Sequence, residues 1–594
     1  MMKKFVAILS VLAVSCAPLF AGNSDLFLSL EKEGVPSDFI TQSEVTPKDA
    51  ANKNTPVAFD LVSSMPGIFV SKAASQIKSD INIRGLGDSA RELAVFIDGR
   101  PEKMSVFGCS VAQTVLSGNV DSIEVVKGPD SVLYGSGAMG GTINIITKKP
   151  QKPFEAGLDI SYGSYNTQNY FADVGGRQDK FSYYASANKA SSDGYIDNSG
   201  YDTVDYSAKF SCRTDAESEI SVDGKYFDGY EQEPMAKTTA GAPVPASRYD
   251  YKRGGADLRY KRNFENVKSD ILFFGDFGEH LFFDSFHSKD STLGVFAHFS
   301  SDFFEEKNIL KYGAEYKYSD GKVISGGMPY RLGEWDKNEF AVFALDEHAF
   351  GLKTKAFAGM RYNHDEISGD FFAPRAGLSY AFTEKISAKA EYSRGFRTPQ
   401  LNELYTLQSS NPDLKPEEVN NYEIGLNSKY FGADIDLNAY VMNGDNIIQP
   451  TSGKFQNSGS YVFKGIEAGT GAYLVKDLKA YAGYTFLDSG DLTQGRPGNK
   501  FDASLDYKIG KFDFYAGAMF LSEYYGANNR QNKLDDINVF NAKIHYNITE
   551  SVALYAAADN FTDQKYQMLM VSNGQAFIYD MPGATYTLGI KITV

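Results

Sequence analysis

From about residue 152 to the C-terminus, apolar and polar side chains take turns along the chain, in runs broken by clusters of Gly, Asp, Asn and Ser. In the last run Tyr586, Leu588, Ile590, Ile592 and Val594 alternate with Thr585, Thr587, Gly589, Lys591 and Thr593. Ile386, Ala388, Ala390 and Tyr392 alternate likewise with Ser387, Lys389, Glu391 and Ser393, and Phe501, Ala503, Leu505, Tyr507 and Ile509 with Asp502, Ser504, Asp506 and Lys508. A period of two places each set on its own face of a β-strand, one suited to lipid and the other to water. A soluble sandwich alternates in the same way, so size has to separate the two. A transmembrane strand takes about 9–11 residues plus its turn, so roughly 440 residues supply about 22 strands, a number that suits a large filled barrel.

The first 150 residues read differently. Residues 125–150, VVKGPDSVLYGSGAMGGTINIITKKP, join β-branched runs (Val125-Val126 and Thr142 to Thr147) through a Lys-Gly-Pro corner and the glycines 135, 137, 140 and 141. This is no phosphate loop: Gly135-x-Gly137 lacks the Gly-Lys-Ser/Thr ending and leads into a strand, where a nucleotide site needs a helix. Together with Ile83-Arg84-Gly85 and Val95-Phe96-Ile97-Asp98-Gly99-Arg100, the segment resembles the plug domain of a TonB-dependent outer-membrane receptor. Further on, Ser393-Arg394-Gly395-Phe396-Arg397-Thr398-Pro399, Asn402-Glu403-Leu404-Tyr405 and Asn411-Pro412-Asp413-Leu414-Lys415-Pro416-Glu417 are similar to the mid-barrel signature of these receptors. Asp559-Asn560-Phe561-Thr562-Asp563-Gln564-Lys565-Tyr566 is similar to their asparagine turn before the last strands. The resemblance runs from about residue 40 to the end and departs at Val594, where the family usually has Phe or Trp. It implies an all-β membrane protein: a 22-stranded antiparallel transmembrane β-barrel over residues 151–594, with an N-terminal α+β plug domain, residues 39–150, inside its lumen.

The N-terminus agrees with export. Lys3 and Lys4 precede an apolar run that ends in Ala17-Pro18-Leu19-Phe20-Ala21-Gly22, a signal peptide over residues 1–21 and too short to span a bilayer. Ala13-Val14-Ser15-Cys16 is a poorer, lipoprotein-type alternative. Beyond it no apolar run is long enough for a transmembrane helix, and mean hydropathy is -0.32, which leaves an exported soluble protein or a β-barrel. The 38 Tyr and 43 Phe favour the barrel, whose aromatic rings line both membrane interfaces. A net charge of -16 gives nucleic acid no basic face to bind. Cys109 and Cys212 remain after the signal, and no spacing argument demands that they pair. Long interruptions at residues 228–255, 319–338, 399–419 and 524–536 are candidate extracellular loops.

The resemblance also implies a mechanism. A membrane pierced by porins holds no ion gradient, so work must arrive from the inner membrane: a short TonB box pairs as an added strand with the partner TonB and pulls on the plug. Within residues 22–38 the candidate box is Asp25, Leu26, Phe27, Leu28, Ser29 and Leu30, and the segment is too short for a separate signalling domain. Family pairing of plug arginines with barrel glutamates falls here on Arg84, Lys127, Glu423 and Glu467. Lys127, standing where arginine is usual, loses the bidentate fork.

The apical loop Pro101 to Val111 carries Met104, Phe107 and Cys109 as candidate substrate contacts. Its thioether and thiol raise copper or another soft metal ion as an alternative cargo. Haem is disfavoured, because the stretch from Phe396 to Leu414 lacks the family's histidine, and His280, His287 and His298 are not spaced as ligands. The function expected is energised import of a scarce metal chelate, a ferric siderophore or cobalamin, by a monomer in the outer membrane of a Gram-negative bacterium. No cofactor is expected, and with no Gly-x-Ser-x-Gly the chain is not read as an enzyme. A non-energised channel or adhesin is the alternative from another class.

Overall fold

The computed structural model describes residues 42–594, apart from 88–90, 239–240, 242, 283–285, 304–306, 431 and 573–574. The expected signal peptide and the candidate TonB box lie outside the described residues. Among the described residues, 22 strands follow one another antiparallel and close on themselves. The last, Thr585–Thr593, pairs with the first, Glu155–Gly163, from Thr587 opposite Gly163 to Thr593 opposite Gly157. Val594 continues that seam, its N–H donating to the Ala156 carbonyl at 2.9 Å. A closed ladder is the one way a sheet satisfies every backbone group in lipid.

The alternation falls on the faces as the pattern requires. Leu588 is 68% exposed on the outer face, whereas Lys389 in strand Ile386–Arg397 points inward and is 7% exposed. Connections are short at one end and longer at the other, and outer-membrane barrels keep their short turns periplasmic. That puts both Glu155 and Val594 at the periplasmic rim and the tip of each rising strand outside.

Two of the four expected loops shrink, and 524–536 lies wholly between the barrel strands Phe512–Ser522 and Ile537–Asn547. Strands Ser218–Glu233 and Ser247–Asn263 stay paired up to Glu233 opposite Ser247, within the 228–255 interval. Asn308–Ser325 and Gly333–Phe350 likewise occupy much of 319–338, and 524–536 holds a small hairpin, Tyr525–Ala527 with Gln531–Lys533. The strands run from 8 to 22 residues, the longer ones well past the membrane's need for about 11. Above the bilayer both faces meet polar surroundings, so alternation stops while the hydrogen-bond ladder continues. The interval 399–419 is largely a true connection, containing a short π-turn at Asn402–Thr406.

The plug fills the lumen. Its five-stranded sheet has the order Gln42–Val45, Val120–Lys127, Gly141–Thr147, Leu93–Ile97 and Arg100–Pro101, with one parallel pair, Leu93–Ile97 beside Gly141–Thr147. Asp98 and Gly99, both at positive φ, make the two-residue turn into Arg100. Val125, Ile143 and Ile145 from this sheet bury against Phe59, Leu61, Ile81 and Ile83 in a small core. The hairpin Ile68–Lys72 with Ser79–Ile83 rises from it toward the outside.

Candidate functional site

The plug is held by charge as much as by apolar contact. Arg84 and Gly85 form a two-residue turn between Ile83 and Leu86, both at positive φ, with Ile83 and Leu86 exchanging backbone hydrogen bonds at 2.8 and 3.0 Å. A non-glycine residue in the left-handed region costs roughly 1–2 kcal/mol, and here the turn throws the guanidinium sideways into the wall. Nε and Nη2 of Arg84 donate to Glu467 at 2.8 and 3.2 Å, and Nη1 donates to Glu423 at 2.6 Å. The guanidinium also lies 4.2 Å from the centre of the Tyr440 ring. Its side chain is 0% exposed.

Three neighbouring strands build the receiving side. Glu423 of Glu417–Tyr430 faces Tyr440 of Ala433–Thr451, which faces Gly465 of Lys454–Val475, two positions before Glu467. Gly465 has no side chain because the Tyr440 ring fills its place: a Cβ there would stand 2.3 Å from the phenol oxygen. Gly67, at φ +80°, likewise admits Glu467, since a Cβ would meet its carboxylate at 2.2 Å. Lys127 joins the same carboxylate at 3.2 Å and donates to the Pro66 carbonyl at 3.0 Å. All four residues singled out in the sequence thus meet in one cluster.

Sequence reasoning missed a second cluster. Asp130, one residue beyond the Lys127-Gly128-Pro129 corner, is bonded by Arg375, which also reaches Glu391 at 2.8 Å. Burial pushes the Asp130 carboxyl up to about 6, although Arg375 opposes the shift. Near the apex Arg253 holds Glu102 at 3.3 Å and Asp290 at 3.4 Å. Burial raises Glu102, yet Arg253 and Arg100 more than offset it, and the carboxyl sits below its ordinary range. An arginine at an inward position of an alternating strand was the available signal for each.

The apical loop is closed on itself: the Met104 N–H donates to the Cys109 carbonyl at 2.8 Å and the Gly108 N–H to the Met104 carbonyl at 2.7 Å. Ser105 fastens it to the wall, its N–H donating to Asp290 at 2.5 Å. Met104 is buried against Val111, Leu116, Phe227 and Tyr251. Cys109 and Cys212 are not joined in a disulfide, and burial pushes the Cys109 thiol up despite Arg91 and Arg253 nearby. Phe107 instead extends an aromatic wall, edge-on to Phe286 at 5.6 Å. Phe286 in turn packs against Tyr330 at 4.1 Å and Phe282 at 5.4 Å, with Tyr249 a further 4.9 Å from Phe282. The three histidines have separate partners: His280 lies beside Arg253, His287 beside Glu279 and His298 beside Glu315.

Comparison with known proteins matches this arrangement in both parts. The family described as TonB-dependent Receptor Plug Domain matches residues 38–142, and the one described as TonB dependent receptor-like, beta-barrel, matches residues 150–561. Among curated relatives, a Vitamin B12 transporter BtuB of Vibrio vulnificus (strain CMCP6) is 23% identical over 555 residues, 86% of this chain and 87% of the relative. The iron-regulated outer membrane virulence protein of Vibrio cholerae is 24% identical over 406 residues, 62% and 60% of the two chains. Among solved structures, the siderophore receptor PirA from Acinetobacter baumannii superposes with a TM-score of 0.79 at 16% identity, covering 96% of this chain and 100% of that one. A variant of the ferric enterobactin receptor PfeA from Pseudomonas aeruginosa, in complex with enterobactin, gives 0.78 at 16%, covering 93% and 99%. With the plug seated in a 22-stranded barrel and both family patterns matched across the chain, the protein belongs to the TonB-dependent receptors.

Proposed function

We propose that the protein imports a metal chelate, a ferric siderophore or cobalamin, across the outer membrane of a Gram-negative bacterium, acting as a monomer and drawing its energy from TonB. The observation that carries this reading is a family plug lodged in the lumen by buried ion pairs to the wall. A lumen so filled does not pass a bulky solute unaided, and polar contacts can be parted and remade under load where a continuous apolar seal would resist. The names of the relatives, a vitamin B12 transporter and an iron-regulated outer membrane protein, support the cargo class. The aromatic wall around Phe107, Phe286 and Tyr330 is where a chelate with flat, partly apolar faces would rest.

Growth of a deletion strain on defined iron and cobalamin sources tests the reading and names the cargo. Loss of growth on one chelate, restored by the full chain, is the expected result. Unchanged growth on every iron chelate and on cobalamin would contradict it.

A further inference from the structure

The plug does not meet the wall in the same way all round. Toward strands Gly333–Phe350 through Ile386–Arg397 it is sealed by Val132 and Leu133 against Phe343, Leu345, Phe357 and Phe396, beside the Asp130–Arg375 pair. Toward the next strands, Leu86 and Met139 pack on Tyr440, Met442 and Phe463, next to Arg84. On another side, between plug residues 52–76 and strands Leu478–Asp488 through Val552–Asp559, Phe69 packs on Leu521, Ile537 and Val539, and beside that contact plug and wall part around a cavity of about 310 Å³. Its upper lining includes Tyr165, Tyr195 and Tyr586 at the extracellular rim, and its lower lining includes Tyr481, Ser504 and Tyr515. Those last three, with Asn52 and Lys53, also line a second cavity of about 810 Å³ that opens among the periplasmic turns at Thr383 to Lys385.

Only one short piece of plug separates the two spaces. Asn52 donates to Asp506, and Asn54 donates to Asp559 at 2.8 Å and to Thr587 at 3.1 Å. Lys543 reaches from the wall to the carbonyls of Ala51 at 2.7 Å and Lys53 at 3.4 Å. The Lys53 ammonium turns back onto the plug, donating to Ser63 at 2.9 Å and Ser64 at 3.1 Å. No ion pair between side chains crosses here among the described contacts. Parting this seam breaks no direct ion pair, though it moves Lys53 away from Asp502 and Lys72 away from Asp559, whereas parting the Arg84 or Asp130 side breaks direct buried pairs.

We propose that this seam is the route by which cargo passes the plug, and that residues 51–54 are its stop. The proposal rests on the import reading above and adds the path and the chemistry of its walls. Two charge pairs along the seam are matched within the protein, Lys72 with Asp60 at 2.6 Å and Lys500 with Asp502 at 2.5 Å, whereas Lys543 meets plug carbonyls and Asp559 the Asn54 amide. What is offered to a passing solute is phenol rings, hydroxyls and amides set among Val70, Met519, Val539 and Met568, a surface suited to a chelate that pairs apolar faces with hydrogen-bonding groups.

The test uses ions as the probe and needs no cargo, so its failure leaves the import reading standing. Full-length protein with Cys109→Ser and Cys212→Ser is reconstituted in planar bilayers in KCl, with the stop weakened by Asn54→Ala and Lys543→Met. Conductance should rise severalfold over the unweakened protein. Adding Ser504→Cys and treating with methanethiosulfonate ethylsulfonate should then remove at least half of the added current. The same treatment of Ser387→Cys, on the opposite wall of the periplasmic cavity, should leave it. No added current, or equal block at both positions, would overturn the proposal. If the weakened variant fails to assemble, an Asn54→Cys, Thr587→Cys pair in the otherwise intact chain supplies the second arm. Openings in mild urea should be fewer when that pair is oxidised than when it is reduced, and equal openings would overturn it.

Discussion

A single guanidinium connects the plug to two strands of the wall at once. Arg84 satisfies Glu423 and Glu467 together and lies over Tyr440, so its removal leaves two buried carboxylates with only lysine partners. Breaking a buried pair of this kind costs about 3–5 kcal/mol, and the cost falls on the plug–wall contact rather than on the barrel ladder. Arg84→Ala is expected to assemble normally while its plug is cut faster by added protease and its bilayer conductance in mild urea rises. Equal proteolysis and equal conductance would reduce Arg84 to a hydrated lumen charge. Lys53 offers a pH test. Burial brings its ammonium down to about 8 from an ordinary 10.5. Between those values the unfolded chain holds a proton that the folded plug has released, so stability contributed by this group rises as pH climbs from about 8 to about 10.5. Below 8 both states are protonated and the burial cost is borne in full. Plug resistance to proteolysis should increase across that window, and Lys53→Met should remove its share of the increase.

Strands were easier to read than their ends. The outward residues Leu588, Leu505 and Ile424 are exposed and the inward Lys389, Asp502 and Glu423 are buried, so where one face meets lipid and the other the lumen, a period of two is a direct record of structure. The record stops at the bilayer surface. In Ser218–Glu233 the alternation fades after Phe227, yet the ladder runs on to Glu233, because water and a polar plug apex reward no particular face. The paired hairpin Gln567–Ser572 and Gln575–Asp580, which joins Ala236–Thr238 above the barrel, was not legible for the same reason. The turn at Asn560 was, since its side chain accepts from the Gln564 N–H at 3.1 Å and donates to the Gln564 and Pro582 carbonyls at 2.9 and 3.2 Å, work that few residue types can do. At the site, Arg84, Lys127, Glu423 and Glu467 were found through motif resemblance. Asp130–Arg375 and Arg253–Glu102 needed the fold, because their partners lie 245 and 151 positions apart in the chain.

At the scale of the whole molecule, closure of the ladder sets how the protein unfolds. With the first and last strands joined from Gly157 to Gly163, there is no free edge from which detergent can peel the sheet. Unheated protein should migrate faster than boiled protein in detergent gels. Identical migration, with release into the soluble fraction on cell breakage, would count against the membrane assignment. The filled lumen bears on the proposed import, in which a plug tied by Arg84 and Arg375 is released by work done on it. The most direct test of that claim is uptake of the chelate named by the growth assay, measured on cells carrying either the full chain or a chain lacking residues 25–30. The shortened receptor should reach the surface and bind the labelled chelate as the full chain does, with accumulation inside the cell falling to the level of cells lacking TonB. Accumulation at the full-chain rate after the deletion would contradict the account.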